Sequence, residues 1–220
     1  MVIKLYTTEL NPPLRAVLMA CDIFEVTFEN VEINLMDKEQ LQPEFSNKNP
    51  LHTVPVLEDD DFILHDSHAI MMYLADAYGN DETWYPKDTK IRALVNQKLY
   101  FNSAVLFPRL KNVMYALIID RQRLIKQKWL ESIEDSYSFM EHYLNRTEFI
   151  ACDHITIADI SAYSSMSSLA QIVPVDEIRF PKTKAWCEIM EKKPYCKRHN
   201  NAGAATFGDL LRQCRESTSQ

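Results

Sequence analysis

Glycine is scarce in this chain: the 220 residues contain three, Gly79, Gly203 and Gly208. Dinucleotide folds and Walker-type phosphate cradles need clustered glycines so that backbone can approach phosphate closely, so those nucleotide-dependent mechanisms are excluded. The five cysteines (Cys21, Cys152, Cys187, Cys196, Cys214) are scattered, odd in number and free of any C-x-x-C pair, which suits free thiols packed in a reducing compartment. Basic charge is in deficit, with 24 Lys+Arg against 31 Asp+Glu and a net charge of -7. With no basic run interleaved with aromatics, a grip on a nucleic-acid backbone is not expected. An 18-residue apolar stretch is missing, and so is a charged, then apolar, then small-residue start, so the expectation is a cytoplasmic chain with no membrane partner. Repeats and low-complexity segments are absent, and only the terminal RESTSQ reads as a solvated tail.

What is present is the composition of a soluble globular protein: 46% hydrophobic and 25% charged residues supply both a core and a surface. On a prior of roughly 100 to 200 residues per domain, the length suits two unequal domains. In the first eighty positions the period keeps switching. VIKLY reads as a strand, and PPLRAVLMACDIFE runs at helical spacing through Leu14, Val17, Leu18, Cys21 and Ile23. VEINL alternates through Val31, Ile33 and Leu35, KEQLQPEFSNK reads as a more polar helix, and TVPVL and FILH flank an acidic turn at Asp59-Asp60-Asp61. DSHAIMMYLADAYG then opens on the N-cap candidates Asp66 and Ser67 and stops at Gly79. A strand-helix-strand crossover favours a parallel pair and a short turn forces an antiparallel one, so the order βαβαββα describes a mixed four-stranded sheet on the thioredoxin-like plan.

After Trp84, Tyr85 and Pro86 the strand signal ends, and apolar residues recur at three and four through a second, all-helical domain. The expected division is a domain over 1–79, a linker over 80–88 and a helical domain over 89–220. Its first long helix carries Pro108 inside it, where a missing N–H predicts a kink. Thr156-Ile-Ala-Asp159 matches an acidic capping box ahead of a core helix.

The stretches LNPPLRAVL (Leu10 to Leu18), NPLHTVPVL (Asn49 to Leu57), DSHAIMMYLADAYG, WYPKD and ITIADIS, in this order across both halves, make the chain resemble the cytosolic glutathione transferases. Within them it is similar to the insect Delta and Epsilon classes, Epsilon more closely. The resemblance spans nearly the whole chain.

That resemblance implies a glutathione site on the first domain. Val54-Pro55 would carry a cis bond that turns the Val54 backbone toward the ligand, and the small trans preference of an X-Pro bond, about 0.5 to 1 kcal/mol, permits such a turn. An ordinary sheet-edge proline is the alternative at Pro55. Asp66 and Ser67, at a helix N-terminus, would hold the γ-glutamyl end, with His68 in the same set; capping alone also accounts for the first two. His52 would reach the glycyl carboxylate, with Gln40 offering an amide nearby. His65 and His68 lack a third ligand signature, so no metal site is expected.

Asn11 departs from the family pattern, which places serine immediately before Pro-Pro to donate its hydroxyl to the glutathione sulfur. The asparagine amide can still donate to a thiolate, which makes Asn11 the candidate catalytic group. Asparagine followed by proline is equally a good N-cap. Tyr6, Thr7 and Thr8 offer other hydroxyls near the same place. For the second substrate the resemblance implies an apolar pocket between the domains, lined by Leu10, Phe107, Leu110, Met114, Leu117 and Ile118, with Lys111 and Tyr115 near its rim.

The function so implied is conjugation of reduced glutathione to hydrophobic electrophiles in detoxification, by a homodimer that pairs the first domain of one subunit with the helical domain of the other and covers the apolar face around Ile91 to Val105. The rival is a non-catalytic ligand-binding protein that lost thiol activation with the serine. Thiol-disulfide exchange of the glutaredoxin type is disfavoured, because position 11 is not cysteine and Cys21 lies too far along.

Overall fold

A computed structural model describes residues 2–8, 11–120, 122 and 124–216, except the side chains of 118, 119, 215 and 216. The chain opens as β1 (Ile3–Thr7), α1 (Pro12–Ile23) and β2 (Phe28–Glu32). After a 3-10 turn at Glu39–Leu41 come α2 (Pro43–Ser46), β3 (Val56–Asp59), β4 (Phe62–His65) and α3 (Ser67–Tyr78). The sheet order is β2-β1-β3-β4, with β1 and β2 parallel and the other pairs antiparallel. The mixed sheet read from the switching period is therefore the one that forms.

Its details differ in three places. The alternation through Leu35 predicts a longer second strand, but the ladder closes at Glu32 opposite Thr7, where β1 itself ends, and Ile33 N donates to Thr7 O at 2.8 Å. The polar helix over KEQLQPEFSNK is broken by Pro43, which lacks an N–H for a continuing helix, so only short turns remain on either side. Gly79 does end α3, but with φ -66 and ψ 131, an extended conformation and not the left-handed one usual for a glycine at a helix C-terminus. The glycine serves close approach instead: its N–H reaches Ala75 O at 3.2 Å, and a Cβ there would strike that same carbonyl.

The helical half begins with α4 (Thr89–Phe101), capped by Asp88, and continues through a π turn at Asn102–Leu106 into α5 (Phe107–Met114) and a second π turn at Tyr115–Ile119. Pro108 falls in the first turn of α5 directly after the first π turn. The widened turn is the irregularity expected near the proline, where its ring and missing N–H interrupt the i to i-4 ladder. There follow α6 (Gln127–Leu144), α7 (Ile157–Ile172), α8 (Pro181–Lys192), α9 (Pro194–His199) and α10 (Asn201–Glu216). The capping box of α7 forms in full, and Asp159 lies completely buried within it, accepting from Thr156 N at 2.9 Å, Ile150 N at 3.1 Å and Trp186 Nε1 at 3.0 Å.

The two halves share one continuous core, running from Ile3 and Leu5 of the sheet through α1 to Trp186 and Phe207. At their junction Arg15 of α1 is 4% exposed and donates to Asn200 O, Ser164 O and Ser168 Oγ at 2.9, 3.0 and 2.5 Å. Among the described residues, no helix is long and apolar enough to cross a membrane.

Candidate glutathione site

The register of the sheet brings distant segments together at one end. Tyr6 pairs with Val56, and Val56 pairs with His65, so a single row crosses β1, β3 and β4 near that end. Beyond this row lie the approach to α1 with Asn11, the Val54-Pro55 turn before β3, and Asp66 and Ser67 after β4. The Val54-Pro55 bond is cis. Asn11 Nδ2 donates to Val54 O at 2.9 Å, joining two of these segments directly.

Asn11 occupies the N-cap position by its backbone, and its carbonyl accepts from Arg15 N at 3.0 Å, but its side chain makes no capping bond. This sets aside side-chain capping, the alternative reading of Asn11. Pro12 and Pro13 contribute: a capping side chain serves the N–H groups of the second or third helical residue, and here only the third, that of Leu14, exists. The amide turns instead to Val54. That carbonyl therefore already accepts one hydrogen bond.

Asp66 has φ 76, and its Oδ1 accepts from His68 N at 2.9 Å and Ala69 N at 3.1 Å. Its carboxyl is held below its ordinary pKa, first by its hydrogen bond with the His68 side chain, whose Nδ1 lies 3.4 Å away. Ser67 is 6% exposed, and its hydroxyl has no partner among the described residues. His52 has φ 56 and stands exposed, its Nδ1 3.0 Å from the backbone carbonyl of Gln40 and 3.3 Å from Ser46 Oγ. Gln40 and His52 thus adjoin, but through the Gln40 backbone; its amide nitrogen is 3.5 Å from Leu35 O.

Two of the expected residues already have partners here. His68 is buried between the domains, where Asn102 Nδ2 donates to its Nε2 at 3.3 Å and also reaches Ser161 Oγ at 2.7 Å, and its ring braces Asp66. Tyr6 directs its hydroxyl to Glu58 Oε2 at 2.8 Å and packs edge-on against Phe45, which removes it as a donor to a thiol. Thr7 is likewise engaged, donating to Asn30 Oδ1 at 2.8 Å. Among the described residues, no cluster of metal-ligating groups occurs.

A sheet end that assembles an N-capped α3, a cis Val-Pro turn and the start of α1 agrees with the comparisons. Residues 1–76 match the glutathione S-transferase N-terminal domain family, and residues 100–194 match the glutathione S-transferase C-terminal domain family. Glutathione S-transferase 1 of Manduca sexta is 38% identical over 96% of this chain and 98% of its own length. An epsilon-class glutathione S-transferase from the housefly, Musca domestica, superposes with a TM-score of 0.93 at 39% identity, covering 96% of this chain and 98% of that one. A glutathione transferase homolog from Drosophila mojavensis, solved with bound glutathione, gives 0.92 at 38% identity over 96% and 97%. The chain belongs to the glutathione S-transferase family. Conjugation of glutathione is its activity, and glutathione its co-substrate.

In this glutathione transferase the stripe expected to hold the second substrate divides. Leu110 is fully buried with Leu106, Val113 and Leu117, a spacing of three and four that faces the helical core, so it is not a pocket wall. Phe107 and Met114 are half-buried beside it, and Lys111 and Tyr115 are exposed, with the Lys111 ammonium 5.2 Å from the tyrosine ring centre. Leu10 lies outside the described residues, as does the side chain of Ile118.

Beside Asn11 the transferase has a cavity of about 460 Å³ between α1, β2 and α10, whose lining includes Thr7, Thr8, Leu14, Leu18 and Thr206. It also includes Arg15, which the sequence reading passed over. The available signal was a charged residue set among apolar helix positions, with Leu14 before it and Ala16 and Val17 after it.

Proposed function

We propose that glutathione lies across this sheet end, with its γ-glutamyl carboxylate on the hydroxyl and backbone N–H of Ser67 at the start of α3, and its ammonium on Asp66. Its cysteinyl unit meets the Val54 backbone beside Pro55, and its glycyl carboxylate meets His52, with Gln40 alongside. This puts the thiol at the start of α1, where Asn11 stands. Glutathione then binds on 1–79, and the helical part over 89–220, joined through 80–88, supplies the wall for a hydrophobic electrophile.

An amide NH2 has two hydrogens, and the bond to Val54 O uses one. The second donates to the glutathione sulfur and stabilises thiolate over thiol, assisted by the positive end of α1. The thiolate attacks the electrophilic carbon; the carbon–sulfur bond forms, the leaving group departs with its electron pair, and the thiol proton passes to solvent. Toward an apolar electrophile this chemistry suits detoxification in the cytoplasm, and the reading includes a homodimer.

The observation that carries the assignment is the Asn11–Val54 bond, which ties the α1 N-terminus to the turn that would receive the cysteinyl unit. Conjugation of a chloronitrobenzene, measured alongside glutathione binding by calorimetry, tests it. Turnover above the spontaneous rate supports it. Binding without turnover replaces it with a non-catalytic ligand-binding protein.

A further inference from the structure

Arg15 is a buried cation whose described bonds all go to neutral acceptors: two backbone carbonyls and one serine hydroxyl. Its Nε–H has no partner among the described residues. Burial lowers its pKa to about 10, which still leaves the guanidinium charged at neutral pH. A charge without a counter-ion in a low-dielectric setting projects its field into the nearest open space. Arg15 lines the cavity beside Asn11, so its field reaches into that space.

The wall around Arg15 is shaped by small residues. A Cβ on Gly203 would come within 2.9 Å of Arg15 Cδ and 3.6 Å of Nε, so the glycine lets α10 lie against the arginine stem with nothing bulkier between them. Leu14 and Leu18 give the cavity an apolar side, while Thr8, Asn11 and Thr206 bring polar groups. Among the described lining residues Glu32 is the acid, and it is exposed on the edge strand β2.

We propose that this cavity is the second-substrate subsite and that it selects electrophiles whose apolar body carries a carboxylate, the carboxylate being drawn to the Arg15 side and the reactive carbon lying toward Asn11. The inference rests on the reading of Asn11 as the neighbour of the thiol. Leu14 and Leu18 contact the apolar body, and Arg15 sets the specificity for charge.

The test uses 4-chloro-3-nitrobenzoate and its methyl ester, each assayed with the full-length protein and saturating glutathione. Each kcat/KM is divided by the spontaneous rate constant, which removes the difference in intrinsic reactivity. The expected result is a preference for the acid over the ester of about tenfold, the size of one charge-assisted bond. Arg15→Met brings the ratio toward one. Because Arg15 also ties α1 to α7, Thr206→Glu provides a second arm that leaves that strut in place. A new carboxylate on the cavity lining lowers the acid-to-ester ratio several-fold. Turnover of the ester without preference for the acid overturns the carboxylate subsite and leaves the transferase reading standing. An acid-to-ester ratio that Thr206→Glu does not move also overturns the subsite. No turnover of either probe overturns both readings.

Discussion

Replacing Asn11 by alanine and by serine separates two roles for its amide. In the protein without glutathione the side chain makes one described bond, to Val54 O at 2.9 Å, between segments 43 residues apart in sequence. Because it caps nothing, the loss of about 0.5 to 2 kcal/mol typical of a removed N-cap is not at stake. What is lost is one hydrogen bond, about 0.5 to 1.5 kcal/mol, plus a penalty if the carbonyl cannot find water. Val54 is 7% exposed, so rehydration is incomplete, and about 1 kcal/mol is the expected cost in the alanine variant. At the scale of this chain that lowers Tm by about 2 to 4 °C. Serine is shorter by roughly one bond of about 1.5 Å and cannot span to Val54 O, so Asn11→Ser should melt as low as Asn11→Ala. Activity divides them. Without a donor, Asn11→Ala loses a bond to a charged sulfur, about 1.5 to 3 kcal/mol, and the thiol pKa of bound glutathione rises by about one to two. Asn11→Ser supplies a hydroxyl and retains or increases turnover. Differential scanning calorimetry reads the first effect, and an ultraviolet thiolate titration with conjugation rates reads the second. Full turnover and an unshifted titration in Asn11→Ala would refute the donor role and leave Asn11 as a tether only.

Ser67→Ala should weaken glutathione binding by roughly 1.5 to 3 kcal/mol, because the hydroxyl is unpartnered before the ligand arrives; an unchanged Kd by calorimetry would sink that assignment. Asp66 has a folded pKa below its unfolded value, so its stabilising contribution is present above about pH 4 and is lost as pH falls through the folded pKa. Asp66→Asn should therefore flatten the acid side of the Tm profile, and a profile identical to that of the parent chain would contradict the sign. Trp186→Phe removes one donor from a completely buried carboxylate and should cost about 1 to 3 kcal/mol in urea unfolding; a change within error would mean that Asp159 is satisfied without it. Leu94 and Tyr100 on α4 are 44% and 66% exposed, and Phe62 and Ile63 on β4 are 44% and 38% exposed, which fits the expected dimer. A monomeric mass by light scattering at micromolar concentration would contradict it.

The fold was readable where one local rule decides the outcome. The switch of period between VIKLY and PPLRAVL, and the box at Thr156 and Asp159, each act within a few residues, and the chain obeys them. At Asn11 the sequence allowed a thiol donor or a cap, and its neighbours weigh against the cap: two successive prolines leave only one of the N–H groups such a side chain could serve, that of Leu14. Leu110 and Lys111 show a different limit. The helix around them has one apolar face, and periodicity finds that stripe without saying whether core or a ligand pocket lies beneath it; only packing against α6 and α7 resolves the choice. Arg15 marks the furthest reach of the difficulty. Its acceptors lie 149, 153 and 185 positions away, so no local pattern identifies them. Its consequence for function arises only once α10 closes over α1, because the same contact that buries the cation also forms the cavity next to it.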